Sequence, residues 1–209
     1  DVLESWKIFL DKLESSEGNR NATLIMHCDP GDQEGSNLIM VAQMLGVYGN
    51  VLFSPERLDF PQMNILYNIS DVCLNISFAE GFGLSTLESM QAGTPIIAQK
   101  TGGLTRQVVD HRDQSENGVA LDVEFRTLVG SQQVPYIYED YVSCESVANG
   151  LMKIYNLNPE EKLSLSEKVM NYVKSEYAYE DMIDQWDKTL WDTIHSWKES
   201  YQRYEIQTF

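Results

Sequence analysis

The sequence predicts an α/β fold, a parallel sheet covered by helices on both faces. Short apolar runs bounded by turn residues recur between positions 22 and 121, each the length of a buried strand. Helical segments alternate with them, which is the pattern of βαβ units. A chain of 209 residues with 43% hydrophobic and 22% charged side chains is also large enough to bury the core of one sizeable domain.

Taken in order, residues 2–13 place Leu3, Trp6, Ile8, Phe9, Leu10 and Leu13 at helical spacing. Residues 22–28 form the first strand, and Asp29-Pro-Gly-Asp32 the turn after it. A helix over 37–45 and a strand over 50–54 follow. Pro61 suits the first turn of the next helix, which runs to position 69. The third strand covers 72–77, and a glycine loop opens a helix from about Ser85 to Ala92. A strand over 94–99, a short helix over 104–109 and a strand over 118–121 complete the alternation. Residues 123–141 break the rhythm and read as a partly ordered insertion. From Ser143 the pattern is helical, so residues 143–209 read as a helical extension of a single domain spanning 1–209.

The net charge of −17 argues against a nucleic-acid surface, where clustered Lys and Arg are needed. No run approaches the roughly 18 apolar residues of a membrane span. The first residues carry no basic segment or apolar core of a signal peptide, and the chain reads as a piece of something longer. Cys28, Cys73 and Cys144 are odd in number and widely spaced. They read as reduced thiols of a cytoplasmic protein, with Cys28 and Cys73 as small core hydrophobes. His27, His111 and His195 are far apart and no metal-ligand spacing occurs, so no metal is expected. The Gly-x-Ser-x-Gly turn of a hydrolase and the Gly-x-Gly-x-x-Gly of a nicotinamide enzyme are missing too.

The loop from Glu80 to Gly83 carries the chemistry. In an open parallel sheet ligands bind beyond the carboxyl ends of the strands, and this loop follows such an end. Gly81 and Gly83 permit a tight turn and close approach of a ligand to the backbone. The free amides and dipole of the following helix favour a phosphate without any basic residue, which suits so acidic a chain. Two plainer readings stand beside this one. Ser85-Thr-Leu-Glu88 has the form of a capping box, and Glu80 that of a solvated loop carboxylate.

Residues 67–103 closely resemble the retaining glycosyltransferases of GT-B fold, the group 1 or GT4 type. The matching elements are Glu80 and Glu88 with seven residues between them around Gly-Phe-Gly, then Met90-Gln-Ala-Gly-Thr-Pro95 and Thr101-Gly-Gly103. The resemblance implies the Rossmann-like C-terminal domain of such an enzyme, using a nucleoside-diphosphate sugar as donor, without cofactor or metal. It implies that Glu88 binds the donor ribose and that Glu80, the catalytic candidate, faces the hydroxyls of the transferred sugar. Backbone amides at Gly81, Phe82, Gly83 and Leu84 would touch the sugar, and those at Ser85 and Thr86 the distal phosphate. Gly102 and Gly103 belong to a second βα loop after a strand, which by its place either lines the same cleft or is a plain tight turn. The family often has an acidic residue shortly after this Gly-Gly, where Arg106 and Gln107 stand here. Lys100, Arg106 and Arg57 read as solvated cations or as local partners of the ligand.

By the same resemblance, a basic loop and an N-terminal acceptor domain would precede Asp1, so the isolated chain is expected to transfer no sugar. Ile183, Trp186, Leu190, Ile194, Trp197, Tyr201 and Tyr204 form an aromatic-aliphatic stripe on the last helix. It is expected to pack against the body of the protein or, where exposed, to pair with a second copy as a homodimer. The alternative to an enzyme of glycan synthesis is a non-catalytic regulatory or scaffolding domain of the same fold. A nucleotide-sugar epimerase is disfavoured, because the paired glutamates belong to the transferases.

Overall fold

The computed structural model describes residues 1–202. Helix α1 (Val2–Glu17) buries Leu3, Trp6, Phe9, Leu10 and Leu13 on one face, as their spacing requires. It runs one turn beyond Leu13 and stops at Gly18, whose amide donates to the Glu14 carbonyl. Strand β1 (Leu24–Met26) and helix α2 (Leu38–Met44) follow, the latter capped by the Asn37 side chain. Strand β2 (Val51–Phe53) leads to α3 (Phe60–Asn68), whose start is fixed by reciprocal bonds between Asp59 and Gln62, with Pro61 in the first turn. Then come β3 (Cys73–Asn75), α4 (Leu84–Gln91), β4 (Ile96–Gln99), α5 (Leu104–Val108) and β5 (Gly118–Leu121).

All strand pairs among β1 to β5 are parallel. They run as two ladders, β1 with β2 and β3-β4-β5 with β4 in the middle. The paired segments are shorter than the apolar runs that predict them, because the chain turns toward the loops early. The amide of Cys28 donates to the Met26 carbonyl, and the Asn75 side chain accepts the amide of Ser77.

Every residue of β4 is buried, as a strand between two helical layers must be. Alternate side chains of a strand point to opposite faces. Ile97 joins a core built from α1, α2 and Val147, Ala148, Leu151 and Ile154 of the helix described next, together with Val119 and Leu121. Ile96 and Ala98 lie outside that cluster, as do the buried Met90, Leu104 and Val108 of α4 and α5. This is the predicted α/β architecture.

The unassigned residues 123–141 form an antiparallel hairpin, β6 (Phe125–Val129) and β7 (Ile137–Tyr141), with Phe125 opposite Tyr141. Half of its strand side chains are exposed and one, Asp140, is buried, so the apolar alternation of a half-buried strand was never written into it. After it, α6 (Cys144–Tyr155) is capped by Ser143, and α7 (Pro159–Glu176) and α8 (Tyr179–Ser200) complete the chain.

Residues Asp1–Met170 form one compact unit and the described residues from Asn171 onward a second. In the second unit, no residue of α8 is buried. Ile183, Trp186, Leu190, Ile194 and Trp197 are all exposed, as is Tyr201 beyond the helix. Of the two states expected for the stripe, packed or exposed, these residues show the exposed one, and the last member, Tyr204, lies outside the described residues. No helix of the described residues is long and apolar enough to cross a membrane. The three cysteines are free, and burial pushes the Cys73 thiol up to about 11.

Leu13 is fully buried at the end of the α1 face. Replacing it by alanine is expected to cost about 2–5 kcal/mol, read as a lower urea midpoint with unchanged slope.

Candidate functional site

The loop after β3 is set by glycine geometry. Gly83 caps α4 with φ 90° and ψ 64°, a left-handed conformation that a β-carbon disfavours. A Cβ there would also lie 2.7 Å from both Leu104 Cδ2 and Thr86 Oγ1. Because the helix starts here, Ser85 sits inside its first turn and no side chain caps it. The capping box read from Ser85 and Glu88 is therefore not formed. The amides of Leu84, Ser85 and Thr86 are those a helix leaves without an internal acceptor, and the first helical bond runs from Leu87 to Gly83.

Glu88, one turn further on, is half-buried. Its Oε2 accepts a 2.9 Å bond from the Tyr67 hydroxyl of α3. Burial first, and then this bond, raise the tyrosine pKa above its ordinary value, so the hydroxyl stays a donor. Thr94 Oγ1 donates to the Tyr67 carbonyl at 2.8 Å and holds the ring's backbone. The sequence offered no direct sign of Tyr67, whose partner is 21 residues away. Glu80 is half-buried, and its carboxylate makes no hydrogen bond among the described residues.

The second loop lies directly on the first. The Gly103 amide donates to the Glu80 carbonyl at 3.2 Å. Gly102 has φ 45°, and a Cβ on it would come within 1.8 Å of that carbonyl oxygen. The site thus brings together Glu80, Gly81, Phe82, Gly83 and the start of α4 with Gly102 and Gly103. Gln107, at the position where the resemblance expects an acid, is fully buried instead. Its Nε2 donates to the Phe82 carbonyl at 2.6 Å, and its Oε1 lies 2.5 Å from the Thr86 hydroxyl. It brackets the loop from inside. The sequence signal was a polar residue on the buried face of α5, between Leu104 and Val108.

Lys100 Nζ bonds Asp122 at 2.7 Å, Arg106 Nη2 lies 3.2 Å from His111, and Arg57 is exposed. His27 stands at the end of β1, its Nδ1 3.1 Å from Ser54 Oγ. What the loop presents is two carboxylates and a helix N-terminus, suited to hydroxyl groups and to an anion respectively.

A family model described as glycosyl transferases group 1 matches residues 3–127. D-inositol 3-phosphate glycosyltransferase of Salinispora arenicola is 39% identical over 89 residues, covering 42% of this chain and 18% of that protein. The corresponding protein of Corynebacterium jeikeium is 29% identical over 142 residues, covering 62% and 33%. The chain thus spans a third or less of these relatives' length. Among solved structures, the C-terminal domain of the group 1 protein LpcC from Francisella tularensis superposes with a TM-score of 0.60 at 19% identity, over 85% of this chain and 80% of that one. Anabaena HepE in complex with UDP-glucose gives 0.60 at 19%, over 88% and 53%. At these identities the structures establish a shared fold.

Substituting Gly102 by alanine is expected to force the Glu80 loop outward and to destabilise the chain by more than about 1 kcal/mol. Gly81→Ala, where the added Cβ meets nothing within 4 Å, should stay within about 0.5 kcal/mol. Paired thermal melts of the two variants check the contrast.

Proposed function

This chain belongs to the group 1 glycosyl transferases, and from that membership we propose that it is the donor-binding half of a retaining enzyme that transfers a hexose from a nucleoside-diphosphate sugar to a glycan or related acceptor. The observation that carries the reading is the meeting of Glu80, the α4 N-terminus and the Gly102-Gly103 turn at one place beyond the ends of β3 and β4.

Glu88 accepts the ribose hydroxyls, and Tyr67 holds its carboxylate in place for them. The amides of Ser85 and Thr86 meet the distal phosphate, where the helix dipole offsets the field of a chain with net charge −17. Glu80, whose carboxylate makes no bond to the described residues, takes the hydroxyls of the sugar, with the amides of Gly81 to Leu84 around it. Retaining transfer then requires the leaving diphosphate to be stabilised while acceptor and donor are aligned. An N-terminal acceptor domain supplies the rest, so the isolated chain binds donor without turning it over. The structures of Anabaena HepE with UDP and UDP-glucose make uridine nucleotides the first to try.

The second reading, a non-catalytic domain that keeps the fold, predicts no nucleotide affinity. Calorimetry with UDP, GDP and ADP separates the two. We expect one nucleotide to bind, Glu88→Ala to weaken it about 10- to 100-fold through loss of charged hydrogen bonds, and Tyr67→Phe to weaken it about fivefold. An affinity unchanged in Glu88→Ala removes the ribose assignment.

A further inference from the structure

The β6–β7 hairpin interrupts the helix–strand alternation, and most of it is exposed. Asp140 is the exception, with a relative exposure of 6%. A buried carboxylate is costly unless donors surround it, and three do. Arg126, directly opposite it in the ladder, donates Nε to Oδ1 at 2.5 Å and Nη2 to Oδ2 at 3.1 Å. Thr101 Oγ1 donates to Oδ2 at 2.8 Å. The arginine alone would satisfy the carboxylate within the hairpin, so the threonine bond is an additional tie to another part of the fold. The Asp140 amide donates to the Phe78 carbonyl at 2.8 Å, and the Tyr141 ring packs on Phe78 with centroids 4.3 Å apart.

Thr101 immediately precedes Gly102-Gly103, and Phe78 stands two residues before Glu80. One short strand therefore grips both loops of the site at their bases. We propose that the hairpin is a clip holding the two donor loops against each other, with Asp140 as a positioning residue acting through Thr101 and Phe78. This rests on the donor-site reading above for its consequence, though not for its geometry. A ligand that binds loops must order them first, and loops already fixed bind with less loss of entropy. The clip fixes them from outside the site as Gln107 does from inside. The Arg126 pairing, ahead of the Thr101 bond, holds the Asp140 carboxyl below its ordinary pKa, so the acceptor state persists at neutral pH.

The test uses this chain with Thr101→Val, which keeps the side chain's shape and removes its hydroxyl, Thr101→Ser, which restores the hydroxyl, and Asp140→Ala. Amide hydrogen exchange is followed at Gly103, bonded to Glu80, and at Ile97 and Ala98 of β4. Calorimetry with UDP-glucose is run on the same proteins and on Glu88→Ala. We expect Gly103 exchange to accelerate about 2- to 10-fold in Thr101→Val, the loss of one net hydrogen bond, and at least as much in Asp140→Ala. The β4 amides should be unchanged, UDP-glucose affinity should fall by a similar factor, and Thr101→Ser should restore both. If Asp140→Ala does not fold, Thr101→Val with its serine rescue decides. Gly103 exchange equal to wild type, or β4 amides accelerating in step with it, overturns the clip. Affinity lowered by Glu88→Ala but not by Thr101→Val overturns its role in binding and leaves the donor reading standing. The expected exchange changes in the variants, with a wild-type chain that binds none of UDP, GDP, ADP or UDP-glucose, uphold the clip and overturn the donor reading.

Discussion

The backbone contact between Glu80 and the Gly102-Gly103 turn is the constraint on which the rest of the site depends. The carbonyl of Glu80 accepts the Gly103 amide, and a Cβ on Gly102 would come within 1.8 Å of the same oxygen. Two βα loops that would otherwise move separately are thereby made one surface. The surrounding polar groups converge on that surface. Gln107 reaches Phe82 and Thr86, Asp140 reaches Thr101 and Phe78, and Tyr67 reaches Glu88. Each of these side chains is buried or half-buried and satisfied, so each has a defined position from which to hold its partner.

The arrangement also answers a charge problem. A chain with net charge −17 repels an anionic ligand at long range. Placing the unshared amides of α4 at the loop gives a local positive end without a side-chain cation. That depends on Gly83 beginning the helix in a left-handed conformation. A side chain capping the first turn would occupy the same amides, so leaving α4 without a side-chain cap keeps them available.

The alternation of strands and helices was legible in the sequence because period and apolar runs are local properties, and β5 matches its predicted limits of 118–121. The strands β1 to β4 proved shorter, and turns governed by Met26 and Asn75 close β1 and β3. The candidate loop residues from Glu80 to Gly103 were named from spacing and resemblance, whereas the side chains that support them were not. Tyr67 meets Glu88 across 21 positions and Asp140 meets Thr101 across 39, and no short pattern encodes such a pairing. The capping box failed for a related reason. Ser85 and Glu88 have the right spacing, but the left-handed glycine two residues earlier decides where the helix starts. The hairpin was missed because its strands carry little apolar alternation, being held by a cross-strand ion pair and by Phe78 packing on Tyr141.

The central claim is that this surface binds the donor, and backbone amide NMR during a titration with whichever of UDP, GDP or ADP the chain binds tests it most directly. The account predicts saturable shifts concentrated at Gly81–Thr86, Glu88 and Gly102–Gly103, with smaller ones at Thr101 and Phe78. Saturable shifts confined to another part of the chain, such as the groove lined by Ile8, Lys12 and Met152 between α1 and α6, would contradict it.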